Sequence, residues 1–535
     1  MEKTSISHTE RHFAPESGLV DKDLSRHEVL PVVEEVALER NFSFLSSLGL
    51  AFTLLNSWTA MSGSLGLVLP SGGSISMIWG LLTSAVGTLL MVLSLAEICH
   101  AFPMSGGQYD WAYILAPRRY KVGLSFFTGW MATAGWIALS ATAASLGASL
   151  ITGIITLWHP TYVAQPWHQF LLYVGIVAQA FFLNVFSVRA LPHIDRLAGL
   201  WSMCGIVTVV VVCLACARGR YQPPGEVFAQ WTNETGWPDG MAFILGLLQS
   251  VFGLTGFDAA THMIEEMPKP AINAPRVMVS AVLMGAATSW VFMVVLLFCL
   301  SSFTEVLEAT ATGPLLMIYY QATRSKVGAT CLIMFNLMAF VFVQQVLITI
   351  SSRMLLAIAR DRGMGHLSRF LAPVHPHLKV PVQSICFCTF WVVVFGLIST
   401  SAYDRANPDL GSSIASNAIL SSSVVLLQIS YFVPILLIFI RGQPALEGYN
   451  HSARWSLGKL RRPIALGALI FLFVTSITFM FPPAIPVPTG SKMNWVVLVV
   501  GIVWIMCAAT WFIDARKMFE GPSELEERLA ISHSS

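Results

Sequence analysis

Two interrupted apolar runs hold the residues best able to do chemistry. Residues 240–266 read GMAFILGLLQSVFGLTGFDAATHMIEE and place a carboxylate, Asp258, beside Phe252, Gly253, Thr255, Gly256 and Phe257. Residues 42–70 read FSFLSSLGLAFTLLNSWTAMSGSLGLVLP and break their own pattern at Ser62, Gly63 and Ser64. Small residues of poor helix propensity unwind a helix at such points. Unwound backbone inside a bilayer is tolerated only where it lines a cavity or is buried in protein. Half-helix N-termini would then offer N–H groups and a positive dipole end to an anion, while Asp258 would take a cation. Aromatic faces at Phe252, Phe257 or Trp136 could hold a quaternary ammonium. The other ionisable groups in spans are Glu97, His262, Glu265 and Glu266. Such groups are functional candidates by default, here for proton transfer or gating. The three glutamates also sit near helix ends, where pairing with Arg118, Arg119 or Arg353 accounts for them equally well.

The elements that must position these residues follow from where charge is missing. The 535-residue chain is 55% hydrophobic and only 11% charged, with a mean hydropathy of +0.67. No Asp, Glu, Lys or Arg occurs in 41–96, 122–188, 327–352, 410–440 or 463–491. A spanning helix needs roughly 20 apolar residues, so this is a polytopic membrane protein. Ordinary soluble enzymes and nucleic-acid-binding modules are excluded. Twelve spans are expected, near 44–68, 76–100, 122–156, 168–188, 193–216, 240–264, 276–301, 327–356, 381–400, 412–440, 463–482 and 494–513.

With the N-terminal tail inside, 25 of the 31 lysines and arginines fall on the inner side. The six outside are Arg218, Arg220, Arg324, Lys326, Arg405 and Lys492. That bias follows the positive-inside rule and puts both tails in the cytoplasm. Residues 1–42 are polar, lack the apolar core of a secretory signal, and read as a cytosolic tail. Asn233-Glu234-Thr235 is a glycosylation sequon in a loop this topology places outside; Asn41-Phe42-Ser43 falls inside.

No phosphate loop, nucleophile elbow or HExxH zinc motif is present. His375-Pro376-His377 lacks carboxylate or cysteine company. The nine cysteines lie in or beside apolar segments and read as packing thiols, the spacings Cys213–Cys216 and Cys386–Cys388 included. No enzyme activity, metal or cofactor is expected. Without nucleotide-binding residues, transport must draw on a gradient or on exchange.

Three stretches carry a family resemblance. The segment from Ser94 and Glu97 through Pro103, Gly106, Gly107 and Tyr109 to Trp111 resembles the second-span signature of amino acid–polyamine–organocation transporters. The segment from Gly256-Phe257-Asp258 through Glu265-Glu266 to Pro275-Arg276 resembles their sixth-span motif. Ser352-Arg353-Met354 through Arg360-Asp361-Arg362-Gly363 resembles the stretch after their eighth span. Asn56-Ser57-Trp58 and Thr255 through His262 look most like the fungal choline and γ-aminobutyrate permease branch. The likeness covers roughly residues 42–515.

The resemblance implies an all-α, twelve-helix, leucine-transporter-like fold with two inverted five-helix repeats and two added helices. The corresponding boundaries are 43–217 for the first repeat, 218–239 for an external loop, 240–441 for the second repeat and 442–462 for a cytosolic loop. Residues 463–513 form the accessory helices and 514–535 a cytosolic tail. It further implies that backbone around Ser62, Gly63 and Ser64 receives a substrate carboxylate, and the Phe252–Asp258 segment an amino group. Proton-coupled members often carry a lysine midway along the fifth span, where this chain has Ser202. The expected function is a plasma-membrane permease for amino acids or small amines such as γ-aminobutyrate. Its partners are that small molecule, the bilayer, and a coupled proton or exchanged substrate. Choline or polyamine transport, or nutrient sensing, are the alternatives, with a membrane-embedded enzyme third.

Overall fold

A computed structural model describes residue 53 and residues 55–522, apart from 402–407, 443–445, 447–454 and 488–492. The side chains of Glu265, Glu266, 399–401 and 408–416 also lie outside the described set. The principal helices are α1 (Ser57–Gly63), α2 (Leu65–Val68), α3 (Leu81–Ala101), α4 (Gln108–Leu115), α5 (Lys121–Trp158), α6 (Pro166–Phe186) and α7 (Leu191–Cys216). They continue with α8 (Asp239–Leu254), a 3₁₀ helix at Phe257–Glu266, α9 (Pro270–Cys299), α10 (Pro314–Thr323) and α11 (Lys326–Arg360). Last come α12 (Val382–Ser401), α13 (Pro408–Arg441), α14 (Arg461–Thr478) and α15 (Val496–Thr510). Among the described residues there is no strand, only an isolated bridge between Ser71 and Asn233.

Ten of these segments are long and apolar enough to cross a membrane. The two remaining expected spans differ for separate reasons. Residues 44–52 of the first lie outside the described set, and its described part is the short pair α1 and α2. The ninth, α12, is helical from Val382 to Ser401, but its side chains are described only as far as Ile398. Helix α5, at 38 residues, is about 57 Å long at 1.5 Å per residue. That exceeds the roughly 30 Å hydrocarbon core, so it tilts or projects.

Burial sorts the spans into centre and rim. The best windows of α5 and the sixth span are 72% and 78% buried, against 33% for α6 and 22% for the last span. Helix α5 packs on α11 and α13, and α3 on α9, forming the scaffold. Phe182, Phe186, Val207, Phe473 and Ile505 stay exposed on the rim, as side chains facing lipid should. Prolines open α6, α7, α9 and α10, where a missing N–H costs nothing.

The resemblance motifs touch one another. Tyr109, at the start of α4, donates from its hydroxyl to Asp361 Oδ2 at 2.8 Å, just past the end of α11. Trp130 Nε1 on α5 donates to the Gly363 carbonyl at 3.2 Å. Gly107 has φ +58, and a Cβ there would sit 2.8 Å from Thr261 Oγ1. Only glycine lets this connector approach the sixth span so closely.

Glu97 ends α3 buried, and its partner is none of the arginines expected from the sequence. Arg461, at the start of α14, grips both carboxylate oxygens, Nε to Oε2 at 2.7 Å and a terminal NH₂ to Oε1 at 2.8 Å. The Leu457 N–H adds a third bond to Oε1 at 2.8 Å. Chain distance misled the expectation: Arg118 and Arg119 are near in sequence, while Arg461 is 364 residues away. The fork geometry is the strong form of a charge-assisted pair. Removing one partner of such a buried pair strands the other. Arg461→Ala should therefore destabilise the protein by about 3 kcal/mol, read as a lower unfolding midpoint in detergent. The double variant Glu97→Gln/Arg461→Met should recover most of that loss.

Candidate substrate site

The first break is a single residue wide. Ser64 has φ −106 and ψ 19, between α1 and α2. Its hydroxyl turns back to donate to the Ala60 and Met61 carbonyls, at 2.8 and 3.3 Å. Gln249 of α8 donates to the same Met61 carbonyl at 2.7 Å. Ser62 donates to the Thr59 carbonyl at 2.7 Å and accepts from Asn336 Nδ2 on α11 at 2.9 Å. Asn336 Oδ1 in turn accepts from the Tyr319 hydroxyl on α10 at 3.0 Å. All three side chains of that chain are buried.

The second break opens where α8 stops. Thr255 is extended, with φ −81 and ψ 144, and its hydroxyl donates to the Val251 carbonyl at 2.7 Å. Gly256 follows at φ +104, a conformation that L side chains rarely adopt. The two breaks meet. A Cβ on Gly253 would lie 2.4 Å from Met61 Cγ, so glycine there is required by the approach of α1. Phe252, Thr255 and Phe257 are buried alongside.

Asp258 emerges from this break with no exposure. Gln108 Nε2 donates to its Oδ2 and the Tyr431 hydroxyl to its Oδ1, each at 2.5 Å. His262, one turn on, holds Nε2 3.5 Å from Oδ2, and its Nδ1 lies 3.0 Å from the Ser105 carbonyl oxygen. The Phe257 and Tyr431 rings lie 5.1 Å apart, tilted by 32°, and Trp136 and His262 meet nearly perpendicular at 5.9 Å. Three elements thus meet at one carboxylate, the 3₁₀ helix, α4 and α13, while α5 brings Trp136 against His262.

The expected residues fall into two groups. Ser62 and Gly63 sit against α11 and α5: a Cβ on Gly63 would lie 2.8 Å from Phe340 Cζ and 3.6 Å from Leu146 Cδ1. Asp258 and His262 face α4, α5 and α13 instead. The side chain of Glu265 lies outside the described residues, and Glu97 is committed to Arg461. Phe340 fills the approach to Gly63. A shallow cleft lies towards the other ends of the broken helices, lined by Leu67, Leu245, Leu248, Asn417, Ser421 and Asn494.

Sequence reasoning missed Gln108, Tyr431, Asn336, Phe340 and Gln344. Asn336, Phe340 and Gln344 recur every four residues, which is one face of a helix, and that spacing was the available signal. Gln344 Nε2 donates to Ser140 Oγ on α5 at 2.8 Å. Ser202, where a lysine was weighed, donates to Asn56 Oδ1 and accepts from Trp58 Nε1, both at 2.9 Å. It fastens α7 to the start of α1.

The sequence model described as amino acid permease matches residues 42–504. The chain belongs to the amino acid permease family. This permease is 30% identical to a choline transporter of Saccharomyces cerevisiae over 502 residues, covering 93% of this chain and 85% of that protein. A putative amino acid/polyamine transporter of Macrophomina phaseolina is 31% identical over 450 residues, covering 84% and 96%. The amino-acid permease BAT1 of Arabidopsis thaliana is 26% identical over 502 residues, covering 91% and 93%. The permease is thus a multi-pass membrane transporter of the amino acid–polyamine–organocation superfamily.

If Phe340 closes the approach to Gly63, a branched residue at 63 must clash with its ring. Gly63→Val should lower stability by about 1–3 kcal/mol and depress substrate uptake. Adding Phe340→Ala should restore much of both, as read by unfolding midpoints and by uptake into liposomes.

Proposed function

We propose that this permease is a plasma-membrane secondary transporter of amino acids or small amines, working by alternating access. The observation that carries the reading is the contact of two interrupted helices, one of which delivers a fully buried carboxylate. An amino acid presents an anion and a cation a few ångströms apart, and burying either without a partner costs several kcal/mol. Backbone around Ser62, Gly63 and Ser64 would receive the carboxylate. The Phe252–Asp258 segment would receive the ammonium, with Asp258 as its counter-charge. Paired interruptions in two halves of a transporter are the recognised pointer to such a site. They also favour the leucine-transporter-like plan of two inverted repeats, 43–217 and 240–441, with 463–513 as accessory helices and both tails cytoplasmic. The positive charge bias supports that orientation.

A second reading has its own support. The yeast relative is a choline transporter, and choline carries a cation without a carboxylate. Asp258 and the neighbouring Trp136, Phe257 and Tyr431 rings offer both a counter-charge and aromatic faces. Uptake of radiolabelled choline, γ-aminobutyrate and a polyamine into liposomes holding the purified protein separates the readings. Asp258→Asn should cut uptake of the true substrate at least about tenfold, one lost charge contact being worth 1.4 kcal/mol or more. Uptake unaffected by that change would remove Asp258 from the site.

A further inference from the structure

With Asp258 ionised and His262 neutral, the contact between them is one proton short of being satisfied. His262 Nδ1 lies 3.0 Å from the Ser105 carbonyl oxygen, which can only accept, so Nδ1 carries a hydrogen. Nε2 faces Asp258 Oδ2 at 3.5 Å and has no hydrogen-bond partner. In a neutral imidazole with Nδ1 protonated, Nε2 is a bare acceptor, and its lone pair would point at a carboxylate in a medium of low polarity. A second imidazole proton removes that repulsion and makes an ion pair. Placing the proton on Asp258 instead leaves the same count, one proton between two groups. The other donors to Asp258, Gln108 and Tyr431, are neutral. Among the described residues, the ion pair that reaches Asp258 comes from His262.

The surrounding ionisable groups are placed as follows. The 3₁₀ helix packs on α9, α11 and α3. Those helices carry Arg276, then Lys326, Arg353 and Arg360, then Glu97 and His100. Glu97 is held by Arg461, and His100 Nδ1 lies 2.6 Å from the Ala271 oxygen. On α4, Tyr109 bonds Asp361, and Asp110 accepts from the Gly106 N–H. Helix α5 brings Trp136 and, among charges, only Lys121 at its first residue. Tyr431 on α13 is the titratable neighbour that touches Asp258 directly.

We propose that His262 is a proton-binding site whose proton is exchanged for the cationic group of the substrate. The inference rests on the reading that Asp258 receives an ammonium. When the substrate cation arrives, the Nε2–H bond breaks, the proton leaves to water, and the imidazole stays behind neutral. The ammonium charge replaces the imidazolium charge, so the cluster is neutral before and after. The ligand class is an amine cation, and its binding competes with the proton. The His262 ring also meets Trp136 at 5.9 Å with the two rings nearly perpendicular.

Choline is a clean probe because it carries no titratable group of its own. Its uptake is measured with the full-length protein in liposomes between about pH 5.5 and 7.5, the range in which an ordinary histidine changes charge. The KM of the wild type should rise by up to about tenfold per pH unit on acidification, the limit for one competing proton. With His262→Gln the profile should flatten to within about twofold. Binding of choline to wild-type protein in weakly buffered detergent should release about one proton, read by an indicator dye, a measurement that needs no variant. A pH slope that survives His262→Gln, or no proton release by the wild type, overturns the proposal. Uptake that needs Asp258 but shows no His262-dependent slope sinks this inference alone. Uptake untouched by Asp258→Asn, or no transport of either choline or γ-aminobutyrate, sinks the substrate reading beneath it as well.

Discussion

Unwinding a helix inside a bilayer exposes carbonyls and N–H groups that lipid cannot satisfy, each at a cost of several kcal/mol. The permease meets that constraint by sending side chains to the freed backbone. Ser64 turns back onto the Ala60 and Met61 carbonyls, and Gln249 crosses from the other broken helix to the same Met61 oxygen. Thr255 does for α8 what Ser64 does for α1. Because Gln249 links the two, neither broken helix is satisfied without the other, and the approach of Gly253 to Met61 follows from that bond. The scaffold of α5, α11 and α13 then has a fixed object to enclose.

A second demand comes from charge. A carboxylate with no exposure must be neutralised or strongly hydrogen-bonded. Asp258 draws in Gln108, Tyr431 and His262 from three different stretches of chain. This explains why the second-span motif and the sixth-span motif occur together: Gly107 lets the connector lie against Thr261, and the next residue, Gln108, reaches Asp258. The neighbouring Tyr109 fastens the same short helix to Asp361. The three resembling stretches are therefore one contact network seen in pieces.

Much of this was legible in the sequence, and the limits have physical causes. The breaks announce themselves because Gly and Ser have poor helix propensity wherever they are placed, and Asp258 because a charge inside an apolar run is conspicuous. The partners of those residues were hidden. Gln108 and Tyr431 lie 150 and 173 residues from Asp258, and nothing local encodes such a meeting. Neutral polar residues such as Asn336 and Gln344 barely disturb hydropathy, so a survey of charges passes over them. Glu97 shows the opposite error. A nearby arginine in the sequence was the natural partner to expect, yet helix packing brought α14 to it instead.

Two polar knots hold the broken helices in the observed state. One runs from Tyr319 through Asn336 to Ser62; the other joins Gln108 and Tyr431 through Asp258. In the proposed orientation, α10 lies between the seventh and eighth spans on the outer side, and α4 between the second and third on the inner side. Each knot therefore ties one side of the membrane to one broken helix. Opening one side requires breaking its knot while the other stays tied, which is what alternating access demands. The asymmetry between them is chemical. The outer knot is made of neutral donors and acceptors, so only movement can loosen it. The inner one is centred on the Asp258 carboxylate, with the His262 ring 3.5 Å away.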